Sequence, residues 1–348
     1  QTAGLASGSL FPIGTTTNTF LATDGSGNTS TCSFDVIVTD NEKPNVLTQN
    51  ITVELDSNGL ATITAAMINS GSTDNCTIES YSLDINSFDC SNIGTVEVTL
   101  TVNDVNGNSA SKTAIVTVVD TLKPSLVTLS AISVNADADV CSYASSQLTA
   151  PAALDNCSVA SVVASPASLA LGANTVTWTV TDGSGNIETS TQIVTVVDSQ
   201  IPTIATLDAI SVNADSGVCT YESSQLTAPK AIDNCSVASV VASPASLVLG
   251  SNTVTWTVTD GSGLTETSIQ IVTVVDSQNP TIATLNPISV NADSGVCTYA
   301  SSQLTAPTPA DNCSVASVLA SPSSLDLGAN TVTWTVTDGS GLTATSTQ

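Results

Sequence analysis

The string VNADADVCSYASSQLTAP begins at Val134, VNADSGVCTYESSQLTAP at Val212 and VNADSGVCTYASSQLTAP at Val290, each 78 residues after the last. Cys141, Cys219 and Cys297 keep this period, as do Trp178, Trp256 and Trp334. A fixed period of this kind means one small folding unit used again and again. A divergent unit runs from Asn41 to Asp120, with its Pro44 80 residues before Pro124. The first 40 residues read as the second half of another unit, because TDGSGNTSTCSFDVIVTDNEKP matches the later TDGSGNIETSTQIVTVVDSQIP. The chain stops at Gln348, in register with Gln192 and Gln270 in mid-strand. Length alone, at about 150 residues per domain, would give two or three domains. The repeat gives five: the C-terminal part of a module over 1–40, a divergent module over 41–120, modules over 121–198 and 199–276, and one over 277–348 cut at its last strand. Both ends are expected to fall inside a module of a longer array.

Within a unit the pattern is β throughout. NTVTWTVTD places Val176, Trp178 and Val180 on one face and threonines on the other, a period of two. Gly183 to Gly185 makes a hairpin turn, and STQIVTVVD returns as a second strand. Pro151, Pro166, Gly172 and Asn174 punctuate the rest. About seven short strands in so short a unit read as an Ig-like β-sandwich. The expected fold is all-β, a tandem array of such modules forming an elongated rod. The tryptophan of each unit is expected to anchor the core, with an exposed carbohydrate-stacking platform as the other reading.

The charge balance removes whole classes of function. There are 30 Asp and Glu against 4 Lys and Arg, giving −26, and there is no histidine. All four cations are lysines: Lys43, Lys112, Lys123 and Lys230. Phosphate recognition needs clustered cations, so no nucleic-acid partner is expected. Without imidazole there is no Ser-His-Asp or Cys-His nucleophile and no His-ligated metal. The apolar runs are short and broken by Thr and Ser, so no membrane span is expected. With 41% apolar residues and few aromatics, the core must be thin and built from small side chains. We expect no enzyme within these residues.

Two groups of residues carry a family resemblance. Asp-Asn-Cys is followed by a GTTT-type strand, ATDGSGN and TCSFDVIVTDNEKP, and FPIGTTTNTFLATDGSGNTSTCSFDVIVTD fits best. These resemble the hyalin repeat (HYR), an Ig-like module. ATITAAMINSGSTDNC and YSLDINSFDCSNIG are similar to HYR-like units of giant secreted surface adhesins and filament proteins in gliding Bacteroidota. The resemblance implies disulfides and an oxidising, extracellular, cell-surface setting. The family's inner pair would be Cys141–Cys157, Cys219–Cys235 and Cys297–Cys313, with Cys76–Cys90 closing a similar loop by another route. The outer cysteine of the family falls on Ser190, Ser268 and Ser346. Cys32 is that outer cysteine in the first, partial unit, so its partner is expected outside the chain.

The carboxylates recur in register. Units end in Asp40, Asp120, Asp198 and Asp276. The Asp-Asn-Cys motifs carry Asp74, Asp155, Asp233 and Asp311. The last hairpin turns begin at Asp24, Asp104, Asp182, Asp260 and Asp338. In an Ig-like sandwich the B–C and F–G loops lie at the end where the chain enters, and the linker brings its own Asp there. Sets such as Asp198, Asp233 and Asp260 are therefore expected to converge, and carboxylate oxygens are suitable ligands for Ca2+ at inter-module junctions. Ordinary turn chemistry, with Asp accepting from nearby amides, is the competing reading.

The linkers, of the type Asp-Ser-Gln-Ile-Pro, are short and stiffened by proline. Asp120-Thr121-Leu122 fits an O-glycan sequon of Bacteroidota, which makes Thr121 a glycosylation candidate. Function divides three ways. The first reading is a stalk or filament segment, a semi-rigid spacer presenting distal domains, and the resemblance adds type IX secretion and gliding motility. The second is direct binding of a surface glycan or protein ligand with avidity from repetition. The third is a non-catalytic accessory region of a secreted enzyme. The partners expected are neighbouring modules of the same chain, with lateral self-association through Thr- and Val-rich edge strands a further option.

Overall fold

The computed structural model describes residues 1–348 and is built almost wholly of β-strands. By compactness the chain forms two units, which do not follow the sequence repeat. One holds Gln1–Ile132, Ser145–Ser168 and Thr175–Val194; the other holds Ser133–Ala144, Leu169–Asn174 and Thr195–Gln348.

The second unit contains the complete repeat 199–276. Its main sheet orders Ile210–Asn213, Thr265–Val275, Gly250–Asp260 and Val237–Ser243 side by side. Gly250–Asp260 and Thr265–Val275 form a long antiparallel hairpin, while Ile210–Asn213 lies parallel to Val272–Val275. The hairpin turn needs a left-handed residue, and Gly263 supplies it at φ 92°. Alternation then does the rest. Val254, Trp256 and Val258 are buried from the hairpin's first strand and Val272 and Val274 from its second. Short pairs complete the second layer, Thr220–Glu222 with Ser246–Val248 and Thr203–Ile204 with Ala231–Ile232. Leu226 and Leu247 close the core against Trp256. This is the expected Ig-like β-sandwich.

Each tryptophan is in the core, not on a surface platform: Trp178, Trp256 and Trp334 are each 3% exposed. The indole N–H is satisfied locally. Trp256 Nε1 donates to Gln270 Oε1 at 3.1 Å, and Gln270 Nε2 donates to the Asp208 carbonyl at 3.0 Å. Trp178 and Gln192 make the same pair.

The first unit contains the divergent repeat 41–120, with the same sheet order: Ile51–Glu54, Ser109–Val119, Gly94–Asp104 and Ile78–Leu83. Leu100 holds the tryptophan position and Ala114 the glutamine position. Phe88 and Ile68, both fully buried, supply the missing volume from the other layer. Ile68 ends a one-turn helix, Ala65–Ile68. In residues 1–40 the hairpin Gly14–Thr23 with Thr29–Val38 is joined by a single bridge from Ala3 to Thr19. There Phe20 and Phe34 take the tryptophan and glutamine positions and stack with centroids 6.0 Å apart.

Candidate functional site

Three features of the sandwich meet where one repeat follows another. The linker aspartate follows the last strand of the preceding repeat. The Asp-Asn-Cys segment lies just before the strand that starts at Ile78, Val159, Val237 or Val315. The turn aspartate ends the first strand of the long hairpin. All four such junctions lie within one compact unit each.

The three aspartates expected to converge do so in full at two of the four junctions. Ligand atoms of Asp120, Asp155 and Asp182 lie within 4.8 Å of one another, and so do those of Asp276, Asp311 and Asp338. Asp40 and Asp74 meet together with Cys76, and Asp198 and Asp233 together with Cys235. Asp104 joins the first of these through its neighbours. Asn106 Nδ2 donates to Asp40 Oδ2 at 3.0 Å, and Asn108 Nδ2 reaches both the Asp40 carbonyl and Asp104 Oδ2. Asp260 joins the third, since Ser262 Oγ donates to Asp198 Oδ2 at 3.2 Å.

Turn chemistry is real as well, but it uses only one oxygen. In each turn Oδ1 of the aspartate accepts two backbone amides: those of Ser184 and Asn186 on Asp182, and those of Ser340 and Leu342 on Asp338. Likewise, one oxygen of each Asp-Asn-Cys aspartate accepts the cysteine amide, as Asp311 Oδ2 does from Cys313 at 2.9 Å. The second oxygen of every Asp-Asn-Cys aspartate is buried without a partner, and it is the second oxygen of the turn aspartate that differs among the junctions. At Asp182 it accepts Asn186 Nδ2 at 2.7 Å, and that same amide donates to the Asp120 carbonyl. Burial alone pushes the Asp182 carboxyl up. The Asn186 side chain and the turn amides outweigh it, so the group sits below its ordinary value. Asp104 behaves the same way through Asn108 and Asn106. Asp260 and Asp338 have Leu264 and Leu342 in place of that asparagine. Their Oδ2 atoms are buried with no hydrogen-bond partner.

The cysteines overturn the expected pairing. The bonds are Cys90–Cys157, Cys141–Cys235 and Cys219–Cys313, at sequence separations of 67, 94 and 94. None of Cys76–Cys90, Cys141–Cys157, Cys219–Cys235 and Cys297–Cys313 is formed. Each bond runs from a loop of one repeat to the Asp-Asn-Cys cysteine of the next. The physical reason is placement. Cys219 follows the turn Asp215–Val218 at the end facing the following repeat, where it meets Cys313, while Cys235 meets the loop of the preceding repeat. The asparagine beside each bonded cysteine adds a hydrogen bond to that loop. Asn234 Nδ2 donates to the Val140 carbonyl at 3.2 Å, Asn312 to Val218 at 3.1 Å and Asn156 to Asp56 at 3.2 Å. Cys90 comes from a different strand-end than Cys141 or Cys219, yet reaches the same place, beside Gly59 and Asn156.

Cys32, Cys76 and Cys297 are unpaired, and Cys32 and Cys297 are exposed. Cys76 shares a hydrogen bond with Asp40. That bond first, then burial and the charges of Asp40, Asp74 and Asp104, push its thiol up to about 11. Thr121 is exposed next to Asp120. No helix is long and apolar enough to cross a membrane.

Residues 2–38 match the HYR domain model. Among solved structures, the human desmocollin-1 ectodomain is 12% identical, with 96% of this chain and 84% of that one covered at a TM-score of 0.26. Drosophila N-cadherin EC1-4 is 10% identical, with 86% and 97% covered at 0.27. The chain spans 30% of the length of a curated relative, hyalin of Strongylocentrotus purpuratus. Over 96% of its own length it is similar to that hyalin, at 30% identity across 364 aligned residues.

Proposed function

We propose that the chain is a run of five HYR-type modules, divided at 40, 120, 198 and 276, from an extracellular adhesion-type protein, and that it serves there as a stalk holding distal domains away from a surface. The observation that carries this reading is the recurring staple: one disulfide and one asparagine hydrogen bond join each repeat from 41–120 onward to the next. A spacer needs joints that do not bend, and a covalent bond beside a short proline linker restricts them. Bonds of this kind persist in oxidising, extracellular surroundings. Calcium at the junctions completes the joint, supported by converging carboxylates with buried oxygens that have no protein partner. Thr121 is the proposed glycosylation site. Attachment to a cell surface and export by the type IX route of gliding Bacteroidota rest on the family resemblance alone. The sequence of the complete gene tests both.

We read no catalytic role into the carboxylates, because they recur once per repeat at loop ends. Direct ligand binding is the weaker reading. Its signal would be exposed aromatics, and the tryptophans are core residues. Small-angle scattering with and without a reductant tests the spacer. A maximum dimension that stays long when oxidised and becomes broadly distributed on reduction is expected. A short, reductant-independent dimension overturns it.

A further inference from the structure

The four junctions differ in one way that the repeat hides. Counting buried carboxylate oxygens without a hydrogen-bond partner, the Asp40 junction has one, on Asp74, and the Asp120 junction has one, on Asp155. The Asp198 junction has two, on Asp233 and Asp260. The Asp276 junction has three, on Asp276, Asp311 and Asp338. Asp338 is only 1% exposed, and its ligand atom lies within 4.8 Å of those of Asp276 and Asp311. The Oδ1 atoms of Asn156, Asn234 and Asn312 are buried without a partner as well, so they do not distinguish the junctions.

Leaving one buried charged oxygen unmatched is costly, and gathering three like charges multiplies that cost. Something positive must answer them, and the lysines do not, since none has an ion pair to these residues. Two oxygens held by one calcium at about 2.4 Å are at most about 4.8 Å apart, so this span suits a shared ion; Asp120, Asp155 and Asp182 meet it too, and the open oxygens are what set the Asp276 junction apart. Three carboxylates also form an all-oxygen, hard donor set of the kind calcium takes, with water filling the rest of its shell.

The switch is a single position, four residues after the turn aspartate. Asn108 and Asn186 donate there to the turn carboxylate at 2.7 Å and to the linker carbonyl at 3.2 and 3.1 Å. That amide ties linker to turn as a bound ion would. Leu264 and Leu342 cannot donate, and the carboxylates are left open.

We propose that this position decides how each junction is closed: asparagine closes it by hydrogen bonds without metal, whereas leucine makes it a divalent-cation site, tightest at Asp276, Asp311 and Asp338 and weaker at Asp198, Asp233 and Asp260. This rests on the calcium reading of the junctions given above and adds which of them take the ion. The array then has metal-independent joints toward one end and metal-dependent joints toward the other.

Calcium titration of the oxidised full chain by calorimetry tests it, with circular dichroism in chelator confirming that each variant is folded. Two sites are expected in the parent, of unequal affinity. L342N is expected to weaken the tighter site at least tenfold, D338N to do the same, and N186L to add a third site. L342N binding as tightly as the parent overturns the inference, as do four equivalent sites, which would leave calcium junctions in general standing. No calcium binding by any version at millimolar concentration overturns both.

Discussion

Cys219 is bonded to Cys313, 94 residues further on, with their Cα atoms 4.7 Å apart, and so ties one repeat to the next. A staple of this span closes a much longer loop than a bridge within a repeat. In the chain-entropy model a loop of this size contributes about 4 to 5 kcal/mol, against about 3 kcal/mol for a loop near 15 residues.

The pairing is open to direct measurement. Non-reducing peptide mapping is expected to give Cys90–Cys157, Cys141–Cys235 and Cys219–Cys313, with three free thiols per chain at Cys32, Cys76 and Cys297. Replacing Cys219 by Ser is expected to destabilise the fold by about 2 to 5 kcal/mol in chemical denaturation. Recovery of a Cys219–Cys235 peptide would sink the junction staple.

The thiols should differ in reactivity. The thiolate is the reactive form, and Cys76 is pushed up to about 11 by Asp40 and its neighbours. Alkylation at pH 8 is therefore expected to be slowest at Cys76, which is also the one free cysteine that is not exposed. Asp40→Asn removes the chief cause and should speed labelling of Cys76 several-fold. Equal rates at Cys76 before and after that change would count against the hydrogen bond.

The buried tryptophan pair sets a stability test in the core. Gln270→Leu removes the acceptor of the Trp256 indole N–H and leaves a buried donor unmatched. The expected cost is about 1 to 3 kcal/mol. Replacing both residues, Trp256 by Phe and Gln270 by Leu, should cost less than the sum of the single changes, because no polar group is then orphaned.

Acid should loosen the Asp120 junction in a defined direction. The Asp182 carboxyl lies below its ordinary value, so its contribution is full above the unfolded value of about 3.9 and is lost as pH falls through the folded one. Asn186→Ala removes the largest lowering influence on Asp182. In metal-free buffer the loss of stability should then begin at higher pH. An unchanged acid transition in that variant would show that Asn186 does not hold the carboxylate.

Much of the fold was legible in the residues themselves. Alternation in NTVTWTVTD put Trp178 inward because a strand shows its side chains to opposite faces in turn, and the sheet obeys that. Convergence of Asp120, Asp155 and Asp182 followed from knowing which loops share one end of a sandwich. The role of Asn186 was not legible, since Asp-Gly-Ser-Gly-Asn reads as a turn whether or not its last amide reaches a linker carbonyl. Nor was the substitution of Leu100 for tryptophan readable as a balanced change, because Phe88 and Ile68 repay the volume from distant parts of the chain.

The sequence by itself determined the repeating β-module, its inward faces and the set of cysteines available to pair. It could not determine the pairs. A bridge from Cys219 back to its own repeat and a bridge on to the next differ by one 78-residue period, so any periodic pattern satisfies both equally. Only the tertiary structure decided, because a sandwich separates its two ends by the length of its strands. Cys219 and Cys235 come from opposite ends of one repeat, and a disulfide spans only a few ångströms.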